Sequence, residues 1–172
     1  MVDRRKLYSR LAVIALAPAL IAHQPAAACY DGPTTHGQKR FTVKSDEGLD
    51  SKTGLIWRRC SLGTKAERGN RCAGEKAFVN LDQAMQLAKA EGNGWHVPSG
   101  PELESPIDVS CGSPVVDVSI FPEIEPDDEG TAKYRTTNEV GAANLIYYFD
   151  FMTGRADGHS RGFQLAVRLV RE

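Results

Sequence analysis

Four cysteines, Cys29, Cys60, Cys72 and Cys111, follow an N-terminal export leader, and this combination constrains the fold more than any other feature of the chain. Arg4, Arg5, Lys6 and Arg10 make a positive start, an apolar run from Leu11 to Ala22 follows, and Ala26-Ala27-Ala28 offers small residues for cleavage. Charge, apolar stretch and small residues in that order are what export machinery reads, so residues 1–28 are expected to be a signal peptide. The apolar run of 12 residues is well short of the ~20 that a membrane-crossing helix needs. An even cysteine count in an exported chain reads as a disulfide framework, and four cysteines allow three pairings. Cys60 and Cys72 flank a polar loop carrying Gly63 and Gly69, which makes them the natural local pair. Cys29 with Cys111 then follows by elimination. Chain entropy values the short closure at about 3 kcal/mol and the long one at about 4.5 kcal/mol.

Two rival uses of these cysteines are weighed. Structural zinc sites use paired Cys-x-x-Cys spacing, which this chain lacks. Cys29 would be the first mature residue, where a bacterial lipoprotein takes its lipid. Ala26, however, stands where such sites prefer a branched apolar residue, and lipidation would strand one of the other cysteines as a free thiol.

Removing residues 1–28 leaves enough chain for one domain with a modest core. The leader takes four of the 21 basic and one of the 22 acidic residues, leaving 17 against 21 and a net charge of −4. That balance gives no support to nucleic-acid binding, which leans on a basic surface. No later segment is apolar enough to span a membrane, and there is no Asn-x-Ser/Thr site.

Residues 29–40 read as a polar N-terminal arm, and the folded domain is expected over 41–172. Phe41-Thr42-Val43 alternates like a short strand, Asp46 to Gly54 reads as a polar turn, and Leu55-Ile56-Trp57 as a second strand. The main helix starts at Asn80, whose side chain caps the first turn, with Leu81, Ala84, Met85 and Ala88 on one face and a stop at Gly92 or Gly94. A shorter helix begins at Ser99, where Ser99 and Glu102 form a capping box and Pro101 suits the first turn; Pro106 limits its length. Ser113 to Gly130, with its prolines and acidic run, is expected to be an irregular surface loop. Tyr134 to Thr137 and Leu145 to Phe151 read as strands, and Gly154 and Gly158 mark a hairpin region. Phe163, Leu165, Val167 and Leu169 alternate with Gln164, Ala166 and Arg168 as in a half-buried final strand. The order predicts a single α+β domain with antiparallel strands, one main helix and long loops.

Several segments together resemble the Lcl C-terminal domain family. Gly54-Leu55-Ile56-Trp57 with Cys60, Gly63, Cys72 and Gly74 is similar to its opening, and Trp95-His96-Val97-Pro98 followed by Glu102-Leu103 to its central signature. Phe121-Pro122, Tyr134-Arg135-Thr136-Thr137, Phe149-Asp150-Phe151 with Gly154, and Val167 to Arg171 match later landmarks in order. The chain departs from the pattern at His96, where the family usually has arginine, at Pro106, and at Tyr134-Arg135. The resemblance implies a C-type-lectin-like fold in a bacterial cell-surface or periplasmic protein, and adhesion to polysaccharide, including sulfated ones, as in some members. It carries over no ligand residues.

The residues show no hydrolytic constellation. His36, His96 and His159 lie in no nucleophile motif, and Cys–His catalysis needs a thiol that the disulfides remove. No cofactor is expected. Trp57 and Trp95 read as core residues rather than sugar platforms, and His96 as a loop-holding hydrogen bonder. Glu125, Asp127 and the distant Asp150 offer oxygen ligands for calcium, although a run such as 123–129 usually caps a solvated turn. Tyr134, Arg135, Asn138, Asn144, Tyr147 and Tyr148 are the candidate ligand-binding residues, since arginine and tyrosine anchor many binding surfaces. Alternation on strands turns at most half of them outward. Arg168 and Arg171, three apart on the last strand, face opposite ways and are not one anion site. The expected function is binding of carbohydrate or glycosaminoglycan, or, alternatively, a structural or protein-interaction role in a surface assembly with no small ligand.

Overall fold

The computed structural model describes Cys29, residues 40–141 and residues 144–172. The expected signal peptide and all of the arm between Cys29 and Arg40 lie outside the described residues. Strands β1 (Phe41–Lys44), β2 (Glu47–Asp50) and β3 (Ile56–Arg58) precede a ribbon of β4 (Thr64–Glu67) and β5 (Arg71–Gly74). Helices α1 (Leu81–Glu91) and α2 (Gly100–Glu104) follow, and then β6 (Lys133–Val140), β7 (Leu145–Asp150), β8 (Arg155–Ser160) and β9 (Val170–Arg171). The strands form antiparallel sheets in the orders β1-β2-β3-β9, β4-β5 and β6-β7-β8. This is an α+β arrangement, as expected. Among the described residues no helix is long and apolar enough to cross a membrane.

Both helix starts follow from local chemistry. Asn80 Oδ1 accepts the Gln83 amide at 2.9 Å while Gln83 Oε1 accepts the Asn80 amide at 3.1 Å. At α2 the Glu102 carboxylate accepts the Ser99 amide at 2.7 Å, and the Ser99 hydroxyl caps in return. Each box satisfies two otherwise orphaned donors. On α1, Leu81, Ala84 and Ala88 are buried as predicted, but Met85 is 49% exposed, because the buried stripe is narrower than the apolar pattern.

Both disulfides form as read, Cys60 with Cys72 and Cys29 with Cys111. The short one braces the β4–β5 ribbon, which stands where a plain loop was expected. The stretch 46–54 likewise holds β2 rather than only a turn, since Glu47, Gly48 and Leu49 pair with β3. The region of Gly154 and Gly158 contains β8, with the turn confined to its start.

The larger correction concerns residues 113–130. They form no regular strand, but Val115, Val116, Ile120, Phe121 and Ile124 are buried, so the segment is part of the core rather than a surface loop. Phe121 meets Phe41 and Trp57 edge-on, with ring centroids 5.6 and 6.3 Å away.

The C-terminal segment organises the rest. Leu165 to Val170 are all buried, so this is not a half-buried strand; regular pairing is limited to β9. The predicted alternation is present, but each face meets a different core. Ala166 and Val170 belong to the cluster around Trp57 and Phe121, whereas Val167 and Leu169 pack with Ala84, Ala88 and Trp95. Its main chain bonds in turn to Val79, Arg135, Leu62, Arg58 and His96. Arg168, buried between the rings of Phe121 and Tyr134, donates to the Arg58 carbonyl at 3.0 Å, the Arg59 carbonyl and Ser61 Oγ. Arg171 instead pairs with Glu47 at 3.1 Å.

Candidate functional site

A groove of about 270 Å³ opens between α2 and the sheet β6-β7-β8. Its position follows from a register irregularity in β6 between Arg135 and Glu139. There Thr136 Oγ1 donates to the Tyr147 carbonyl at 2.8 Å, and the Thr137 amide donates to the Pro98 carbonyl at 2.9 Å. Asn138 then faces α2, where its Oδ1 accepts the Gly100 amide at 2.6 Å. That bond orients the amide and leaves Nδ2 as the free donor. Pro101 and Glu104 line the helix side of the groove, and Tyr147, Phe149 and Ala156 the sheet side.

Of the six candidate residues, Asn138, Tyr147 and Tyr148 line this groove. Asn144 is exposed at the turn into β7, away from it. Tyr134 and Arg135 are each 1% exposed and cannot present their side chains to an external ligand. They are corrected to core residues: Tyr134 packs against Phe151, and Arg135 Nη2 donates to the Phe163 carbonyl. Successive strand residues normally take opposite faces, but here both faces of β6 are covered from Tyr134 to Thr136. Burial first, and then the nearby Asp157, push the Tyr148 hydroxyl above the usual tyrosine range, keeping it protonated. Its ring begins a stack through His159 to Phe163, with centroids 5.2 and 3.8 Å apart.

The sequence marks Pro101 only as a helix-start residue and does not single out Glu104. They sit more than thirty residues before Asn138, and no local pattern links the two.

The other candidates have structural partners. Trp57 and Trp95 are buried, as read. Arg58 and Arg171 lie over the Trp95 ring at 4.3 and 5.1 Å. His96 does hold a loop: Nδ1 is 3.0 Å from the Gly94 carbonyl and Nε2 3.1 Å from Glu102 Oε1. Burial opposes its charge, but these two bonds prevail and raise its pKa above the ordinary histidine value.

Glu125, Asp127 and Asp150 do not converge among the described residues. Asp127 accepts from the Glu129 amide at 3.0 Å and from the amide and hydroxyl of Thr131 at 2.8 and 2.7 Å. Against a burial penalty, these bonds hold its carboxyl below the usual range. Asp150 is buried and accepts from the Ala132 and Met152 amides at 2.8 and 3.0 Å and from Thr153 Oγ1 at 2.7 Å. Two tighter groupings exist, but each is a disulfide pair beside one carboxylate, Asp108 or Glu123.

Comparison with curated proteins gives no match. The family model described as the Lcl C-terminal domain matches residues 48–171, most of the described chain. The match begins in β2 and ends on the final strand, so it spans both cores apart from Phe41, the disulfide-braced ribbon and the groove. Family membership points to an adhesin-like surface domain, and the two disulfides are compatible with export. The chain belongs to the Lcl C-terminal domain family.

Proposed function

We propose that this domain is a non-enzymatic binding module of the bacterial envelope, exported by its N-terminal leader, with a lectin-like role and a carbohydrate as ligand. The observation that carries this reading is the groove beside α2, whose lining brings together the exposed Tyr147, the free Nδ2 donor of Asn138 and the Glu104 carboxylate. A phenol ring suits the apolar face of a pyranose, and an amide donor with a carboxylate acceptor suits its hydroxyls. Among the described residues Glu104 is the one charged side chain lining the groove, which favours an uncharged sugar there over a sulfated glycosaminoglycan.

Binding is favoured over catalysis by how the reactive side chains are used. All four cysteines are in disulfides, His96 is engaged by Gly94 and Glu102, and His159 is stacked between Tyr148 and Phe163. Calcium is not required in this reading, because Asp127 and Asp150 already serve their own loops.

Glycan-array binding with calcium and with chelator tests the proposal. The expected result is capture of a neutral oligosaccharide that survives the chelator and weakens about tenfold in Tyr147→Ala, as for an aromatic anchor. No glycan hit, or hits indifferent to both Tyr147→Ala and Glu104→Gln, would favour a structural or protein-interaction role.

A further inference from the structure

A second cleft, of about 530 Å³, lies on a different part of the surface, between residues 76–78, the 125–133 segment and residues 163–166. Two features set it apart. Phe78 and Phe163 both line it and are 57% and 42% exposed, an unusual placement for large apolar rings. His159 stacks on Phe163 with the planes only 6° apart, so that ring is held in place. The cleft is also electrostatically unbalanced. Its Lys133 is paired with Glu129 at 2.7 Å, and Lys76 donates to the Glu123 carbonyl at 2.9 Å. Glu125 and Asp128, exposed on the rim, have no ion-pair partner among the described residues.

The main chain adds a third observation. Val79 and Leu165 exchange a pair of antiparallel bonds at 3.1 Å, so the chain beside the cleft is strand-like. The neighbouring amide and carbonyl of Phe78 make no backbone bond among the described residues. An extended chain can pair with such an edge, with its alternate side chains entering pockets.

We propose that this cleft docks an extended, basic segment of a partner protein. Aliphatic side chains of the segment pack on Phe78 and Phe163, and its lysines or arginines reach Glu125 and Asp128. A held Phe163 ring, an exposed Phe78 ring, carboxylates without ion-pair partners among the described residues and a free edge at Phe78 fit a peptide better than a sugar, because phenylalanine brings no hydrogen-bonding handle to a sugar hydroxyl. The site is separate from the carbohydrate groove, and neither reading depends on the other.

The probes are a capped peptide alternating lysine and leucine, its glutamate–leucine counterpart, and a deacetylated amino-sugar oligomer, titrated against the oxidised chain. The lysine peptide should bind, weaken at least tenfold in Phe78→Ala, and weaken about fivefold in the Glu125→Gln/Asp128→Asn double variant at low salt. Raising ionic strength should erase the difference between the double variant and the parent. Because Phe78 is exposed, its truncation should leave the melting temperature unchanged, and Tyr147→Ala should not alter peptide binding. Equal binding of the glutamate peptide, or indifference to Phe78→Ala, would overturn the proposal. So would tighter, Phe78-dependent binding of the amino-sugar oligomer, which would reassign the cleft to a cationic sugar.

Discussion

Ser61 Oγ and Tyr134 Oη lie 2.8 Å apart in the interior, joining the residue after Cys60 to the start of β6 across 73 positions of sequence. The same Ser61 oxygen accepts from Arg168 Nη2 at 3.2 Å, so one hydroxyl ties the disulfide region, the β6-β7-β8 sheet and the C-terminal segment together. Tyr134→Phe keeps the ring and removes only this bond. It should cost about 1 kcal/mol. A thermal melt should therefore fall by about 3 °C, with glycan binding unchanged.

Arg135 and Tyr147 separate fold from site. Arg135 is buried, and its guanidinium satisfies the Phe163 carbonyl, whereas Tyr147 is exposed beside the groove. Arg135→Ala leaves a cavity and an unpaired carbonyl, and should destabilise by about 3 kcal/mol. Tyr147→Ala should stay within about 0.5 kcal/mol of the parent, the usual range for a surface change. Denaturant unfolding of both variants gives the comparison. Equal stability of the two would mean that the burial of β6 is misjudged.

Gly63 is a backbone requirement rather than a flexible joint. Its φ is +92°, and a Cβ there would press on the Glu75 carbonyl and lie 2.9 Å from the Ala77 amide nitrogen. Gly63→Ala combines left-handed strain with a main-chain clash and should cost about 3 kcal/mol. Gly69, also at positive φ but with open space around it, should lose less on the same change. Paired chemical melts of the two variants would measure the difference.

The His96–Glu102 contact should make stability depend on pH in a defined direction. His96 has its pKa raised in the folded state, so its contribution is complete below about pH 6.5 and is lost as pH rises through the folded value. Burial opposes ionisation of Glu102, but bonds from Ser99 and His96 outweigh it and lower its pKa. Its contribution is present above the ordinary glutamate value and is lost as pH falls through the lowered one. Both groups therefore support the fold together between about pH 4.5 and 6.5. The His96 side chain is 43% exposed, so solvent screening keeps its share below about 1 kcal/mol. Urea midpoints across pH 4–9 should show a shallow decline above neutrality in the parent and none in His96→Gln.

Features whose causes lie within a few residues were legible from the order of residues alone. The capping boxes at Asn80 and Ser99 depend on a side chain three positions away, and the Cys60–Cys72 closure on a short polar loop between them. The hydrogen-bonding role of His96 and the interior place of both tryptophans were legible from residue type and setting. Which faces are covered depends on long-range packing. Leu165 to Val170 alternate as the sequence shows, yet both faces are buried, because two cores meet along that one segment. The irregular stretch around Phe121 enters the core because its ring packs edge-on against Phe41 and Trp57, both distant in sequence. Tyr134 and Tyr147 have the same polar handle, but one is interior and the other lines a groove. The difference comes from what packs over each strand face, a non-local fact that residue type and strand period do not encode.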